Sequence, residues 1–219
     1  MEMDALSAPM CCRNYMSALF KIRLVAELWK ETLDGSPCVW AIASSTLPVQ
    51  QNASNIQRSG EWPLTIHYIE LPASLECQRE ILSNIIFLQL TKPTLSRWKV
   101  AYFDKVEIDA VFQPLDRSAT LLQELSIHSQ TFISPGTEHY LFGGQLPNIR
   151  HLDLEGISLP ASLVPFGGLT FLELGQVFDE GIAADRLFDI VEGNPGLEHL
   201  SLAGLGLQIS PALATKATI

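Results

Sequence analysis

Apolar residues in the C-terminal half of the chain recur in the order apolar-x-x-apolar-x-apolar. The two clearest copies are Ile149-Arg-His-Leu152-Asp-Leu154-Glu-Gly156-Ile157-Ser-Leu159 and Leu197-Glu-His-Leu200-Ser-Leu202-Ala-Gly204-Leu205-Gly-Leu207. They match at their apolar positions and at one His and one Gly, and Pro147 and Pro195 each stand two residues ahead. Leu122-Gln-Glu-Leu125-Ser-Ile127 and Leu169-Thr-Phe-Leu172-Glu-Leu174 carry the same core, and Trp98-Lys-Val-Ala101-Tyr-Phe103 is a weaker copy. Each copy predicts a short strand whose first, fourth and sixth residues point into one continuous core. Leu125, Leu152, Leu154, Leu172, Leu174, Leu200 and Leu202 are expected to be buried there.

The copies begin at 98, 122, 149, 169 and 197, so the intervals are 24, 27, 20 and 28. All lie within the roughly 20 to 29 residues of a leucine-rich repeat. Parallel neighbours need a crossover, and the intervals are long enough to supply one. Between Leu174 and Leu197, residues Ile182 to Glu192 read as a helix with Leu187, Ile190 and Val191 on one face and Gly193 as its C-cap. Pro160, Pro165 and Gly167-Gly168 predict irregular structure in the shortest interval. The expected fold class is α/β, a leucine-rich-repeat-like solenoid with a parallel sheet.

The positions between the inward leucines should form columns on the concave face. The first column is Val100, Glu124, His151, Phe171 and His199; the second is Tyr102, Ser126, Asp153, Glu173 and Ser201; the third is Asp104, His128, Glu155, Gly175 and Ala203. From these, Tyr102, Glu124, Ser126, His128, His151, Asp153, Glu155, Phe171, Glu173, His199 and Ser201 are the candidate partner-binding residues, read as a solvated, mildly acidic surface. Adjacent strands lie about 4.8 Å apart, and a full strand separates His151 from His199, so no metal site is expected.

The N-terminal part follows another pattern. Asn14 to Leu33 predicts a helix, in one or two pieces, with Leu19, Ile22, Val25, Ala26 and Trp29 as its apolar stripe. Val39 to Ala43 and Leu64 to Ile69 read as strands, the second alternating as if half-buried. Ser74 to Leu90 reads as a helix with Ile81, Ile85 and Leu88 on one side and Leu82 and Ile86 beside them. Pro48 to Ser59, rich in Gln, Asn and Ser, reads as a loop or linker. The expected organisation is a helical segment over 1–47, a linker with strand and helix over 48–95, and the repeat array over 96–219.

Composition narrows the function. The apolar fraction of 47% supports a real core, and a net charge of −10 argues against binding nucleic acid, which needs clustered Lys and Arg. Cys11, Cys12, Cys38 and Cys77 form neither a CxxC pair nor a disulfide framework, which suits a reducing compartment. No signal peptide is visible, and Ile81 to Leu90 is too short and polar to span a bilayer. A cytoplasmic or nuclear location is expected, with no membrane partner. The Asn52-Ala53-Ser54 sequon is read as chance.

Val25-x-x-x-Trp29 followed by Asp34-Gly35-Ser36-Pro37-x-x-Trp40 resembles the second half of the F-box-like segment of a large family of fungal proteins, in which the segment precedes leucine-rich repeats. Ile56-Gln-Arg58-Ser59, Pro63-Leu64-x-Ile66 and Ser96-Arg97-Trp98 are similar to later family elements. The resemblance implies a substrate-recognition subunit of an Skp-cullin-F-box type ubiquitin ligase, with Leu24, Val25, Leu28 and Trp29 toward the Skp-type adaptor and an unknown substrate protein on the repeats. Family members open with an amphipathic Leu-Pro helix. Here Met1 to Cys12 lacks that motif, so the first helix is expected to be missing and the F-box segment incomplete; the array is likewise expected to be truncated at its C-terminus. Weak adaptor binding, or none, follows, and the alternative is a vestigial or truncated structural repeat protein.

No catalytic constellation emerges. Ala203-Gly204-Leu205-Gly206 lacks the third glycine of a dinucleotide fingerprint and follows a strand instead of opening a helix. No G-x-S-x-G, P-loop or H-E-x-x-H is present. The chain is read as a non-enzymatic protein-interaction module needing no cofactor.

Overall fold

The computed structural model describes residues 8–70, 77–106, 115, 117–129, 142, 146–157, 167–175, 182–204 and 207–208, without the side chains of 8–11, 77–83, 182–186 and 207–208. The elements are α1 (Ala8–Arg23), α2 (Glu27–Asp34), β1 (Ile42–Ser44), α3 (Val49–Arg58), β2 (Leu64–Ile69), α4 (Cys77–Thr91), β3 (Trp98–Val106), β4 (Glu124–Ser129), β5 (His151–Glu155), β6 (Phe171–Gly175), β7 (Ile182–Ala183), α5 (Ala184–Gly193), β8 (His199–Ala203) and β9 (Leu207–Gln208). The fold is α/β. A seven-stranded parallel sheet runs β1-β2-β3-β4-β5-β6-β8, and β7 pairs with β9 separately. The chain forms two compact units, 1–102 and 103–219.

In the first unit, Met16, Leu19, Trp40 and Leu47 make a small core, with Tyr15, Leu33 and Val39 against it. The Trp40 indole N–H donates to the Leu33 carbonyl at 2.7 Å, and the Arg58 guanidinium lies 4.6 Å above its ring. Asp34 then holds both Arg23 at 2.8 Å and Arg58 at 2.9 Å. Arg97 donates to the Ser59 hydroxyl and to the Trp62 carbonyl. Asp34, Arg58 and Trp40 are thus tied together, as are Ser59 and Arg97, by the internal bonds of this unit.

Four expectations change here. Pro48 to Ser59 is not a loop: α3 occupies it, and β1 and β2 pair in parallel around it. Its Asn and Gln content misleads because Asn52 and Asn55 are buried and serve the backbone. The Asn52 side chain accepts from Ser44 N–H at 2.9 Å and donates to the Ser44 and Leu47 carbonyls, while Asn55 donates to the Ile42 carbonyl at 3.0 Å. Buried and bonded, Asn52 offers no accessible amide at the sequon. Residues 37–40 form a 3-10 turn in place of the first half of the expected strand, because Pro37 opens a tight turn. Strand β2 is buried on both faces instead of alternating, including His67. On α4, Phe87 and Leu88 face inward while Ile85 and Ile86 are exposed.

In the second unit, Leu122, Leu125, Ile127, Ile149, Leu152, Leu154, Leu169, Leu172 and Leu174 are buried together. The strands start alike. Gln123, Arg150 and Thr170 carbonyls each accept from two successive N–H groups of the next strand: Arg150 and His151, then Thr170 and Phe171, then Glu198 and His199. Gly156 and Gly204, which leave β5 and β8, have φ of 71° and 65°, a left-handed exit that glycine adopts without strain. The intended C-cap Gly193 is the last residue of α5, and the stop falls to Asn194. Asn194 is buried, accepts from Leu169 N–H at 2.9 Å and donates to the Ile190 carbonyl at 2.7 Å. Leu200 and Leu202 depart from the expected core and are 42% and 38% exposed. Strand β8 pairs only with β6 among the described residues, and Phe188 and Val191 of α5 also face outward, so no described element covers that side. The expectations for Pro160, Pro165, Ile81, Leu82, Cys11 and Cys77 concern segments or side chains outside the described residues.

Candidate functional site

The residues assigned to an adaptor by resemblance lie on one corner of the first unit. Helix α1 ends at Arg23, and residues 24–26 turn the chain into α2. That break splits the expected stripe. Leu19 is buried and Ile22 half-buried, whereas Val25, Ala26 and Trp29 fall beyond the break and are exposed. Leu24 (87%), Val25 (73%), Leu28 (71%) and Trp29 (54%) therefore present apolar surface to solvent. Trp29 does not pack inward as Trp40 does. Helix α1 starts at Ala8, ahead of the expected start at Asn14, with Pro9 in its first turn, where the lost N–H costs no helical bond.

The columns on the second unit's sheet are observed in register. Glu124, His151, Phe171 and His199 pair in sequence, as do Ser126, Asp153, Glu173 and Ser201, and then His128, Glu155, Gly175 and Ala203. In the first column the rings stack. His151 and Phe171 have centroids 3.9 Å apart at 7°, and Phe171 and His199 are 4.2 Å apart at 8°. In-register parallel strands put identical column positions about one strand spacing apart, which is near the distance for ring stacking. Tyr102 belongs to the first unit, where its ring lies 4.9 Å from that of His67.

A polar cluster occupies the neighbouring columns. Asp153 Oδ2 accepts the Ser126 hydroxyl at 2.9 Å and lies 2.9 Å from His128 Nε2. Ser126 Oγ is 3.2 Å from the same nitrogen, and His128 Nδ1 is 3.9 Å from Asp104 Oδ1. The hydrogen bond to Asp153 raises the His128 pKa above 6.5 against the opposing effect of burial, and the charges of Asp153, Glu155 and Asp104 add to the rise. Asp153, one of the positions of the expected solvated surface, is half-buried and bridges two strands. The Ser126 hydroxyl thus bridges β4 to Asp153 on β5. On the last pair, Ser201 donates to Glu173 at 3.2 Å.

Sequence reasoning placed Asp104 in the third column without assigning it to the site. It also passed over His67, which is buried with no partner for Nδ1, and whose pKa burial lowers to about 4. Column position was a usable signal for Asp104; a histidine between Ile66 and Tyr68 carried none. Among the described residues no group of three or more His, Cys, Asp or Glu could hold a metal ion, and no helix is long and apolar enough to cross a membrane. No protein-family model matches the chain, nor does any curated protein or solved structure.

Proposed function

We propose that this chain is a protein-interaction module, by resemblance a substrate-recognition subunit of an Skp-cullin-F-box type ubiquitin ligase, with a leucine-rich-repeat solenoid behind an F-box-like segment. The observation that carries the adaptor half is the exposed apolar corner Leu24, Val25, Leu28 and Trp29, at the positions the resemblance assigns to the adaptor. Aromatic and aliphatic side chains left in water on a short helix are the kind of anchors that dominate binding energy. The in-register columns of the second unit support the substrate half, since they offer rigid outward positions for a partner.

A second reading has its own support. The inward face of α1 (Cys12, Met16 and Leu19) is buried, which leaves α2 and its turn as the exposed apolar corner. A stable interface buries roughly 800 Å² per partner, more than a single two-turn helix offers. This favours weak adaptor binding, or a structural repeat protein that binds no adaptor. Calorimetric titration with a purified Skp-type adaptor tests both. Micromolar binding that weakens at least about tenfold in Leu28→Asp would uphold the receptor reading. No heat with the native chain leaves the structural reading in its place.

A further inference from the structure

We propose that the sheet face of the second unit holds an extended, arginine-bearing segment of its partner protein, an inference that rests on the interaction-module reading above. Two independent features point to that occupant. The first is charge. The three columns place Glu124, Asp153, Glu155 and Glu173 on one face, Asp104 lies 3.9 Å from His128 of the same face, and no Lys or Arg occupies any column position. A face of one sign attracts the opposite sign and excludes nucleic acid and acidic peptides.

The second feature is the ring stack. His151, Phe171 and His199 lie nearly parallel, and both faces of Phe171 are covered by imidazoles. Among the described residues no ring stacks on the outer face of His199, whose side chain is exposed. A planar guanidinium can lie flat there and extend the stack by one layer, while its N–H groups reach toward carboxylates. Glu173 is the nearest suited acid in register, one strand from Ser201 and two residues along from Phe171. Gly175 and Ala203 follow Glu173 and Ser201 with little or no side chain, leaving the third column shallow on these strands. A lysine ammonium has no plane to stack and holds its water more tightly, so the arrangement discriminates between the two basic residues. An extended partner suits the site because its alternate side chains fall on one side, as the outward residues of each strand do.

The test is fluorescence anisotropy of the full chain with labelled nine-residue peptides alternating Ser with Arg, Lys, Glu or Gly. The Arg peptide should bind at least about threefold more tightly than the Lys peptide, reflecting stacking beyond charge. Glu173→Gln and Phe171→Ala should each weaken the Arg peptide about fivefold or more. Glu173→Gln keeps the shape of a half-buried side chain and an acceptor for Ser201, so it reads the proposal even if Phe171→Ala disturbs folding. Equal Arg and Lys binding that ignores both substitutions would show only diffuse attraction and overturn the proposal. A Gly peptide bound as tightly as the Arg peptide, and lost in Phe171→Ala, would overturn the arginine assignment while leaving the face an interaction site. No binding by any peptide would overturn both.

Discussion

Replacing Asn194 with alanine removes a side chain that spans two parts of the second unit. Its Oδ1 accepts the buried Leu169 N–H at 2.9 Å, and its Nδ2 donates to the Ile190 carbonyl at 2.7 Å. Two intramolecular hydrogen bonds are worth about 1 kcal/mol each. Alanine also strands the Leu169 N–H, whose residue is fully buried, and an unsatisfied buried donor costs about 1–3 kcal/mol. These figures overlap, because stranding a group is part of what the mutation measures, so the expected loss is about 2–4 kcal/mol. Asn148, whose amide donates at 2.6 Å to the Thr120 carbonyl on the surface, provides the control. Water replaces that bond, and Asn148→Ala should cost under about 1 kcal/mol. Urea denaturation measures both, and hydrogen exchange reports the Leu169 amide directly. Unchanged exchange at Leu169, or a loss below about half a kilocalorie, would refute the argument that this side chain satisfies the strand's entry.

Leu152→Ala should cost about 2–5 kcal/mol in the same assay, whereas Leu200→Ala, at the same place in its own copy but exposed, should cost about 1 kcal/mol or less. Gly156→Ala should destabilise by about 2 kcal/mol or more, because φ is 71° and a Cβ would lie 2.7 Å from the Ser129 carbonyl oxygen; a thermal midpoint within a degree of the native value would contradict it. For His128 the folded pKa is raised above 6.5, so its bridge contributes fully below that value and is lost as pH rises through the folded pKa. His67 acts in the opposite sense: its folded pKa is about 4 against 6.5 unfolded, so stability falls as pH drops between those values. Imidazole resonances followed by NMR should separate the two, and Asp153→Asn should remove the rise at His128 alone.

The second unit was legible in the sequence to a degree the first was not, for a physical reason. Leu152, Leu154, Leu172 and Leu174 repeat one geometry, so aligning the copies also aligned Glu124 with His151, Phe171 and His199. Alignment could not show that Leu200 and Leu202 are exposed, because burial depends on what packs above a strand and not on the strand's own residues. In the first unit, Asn52 and Asn55 look like loop residues until their amides meet the backbone of β1. Trp29 and Trp40 looked alike in sequence. Met16, Leu19 and Leu47, with the Leu33 carbonyl and Arg58, make Trp40 a core residue, whereas Trp29 stays in solvent.

The shared way in which β5, β6 and β8 begin has an evolutionary consequence. Intervals of 27, 20 and 28 residues, from 122 to 149 to 169 to 197, lead to the same pair of bonds on the preceding carbonyl. Differences of eight residues are absorbed away from the strands, and the register does not slip. A tandem duplication of one interval with its strand would add a further rung to each column, already in phase with its neighbours. The outward face of the sheet can therefore lengthen by copying, and the new rung can then diverge at its outward positions while the inward leucines stay unchanged.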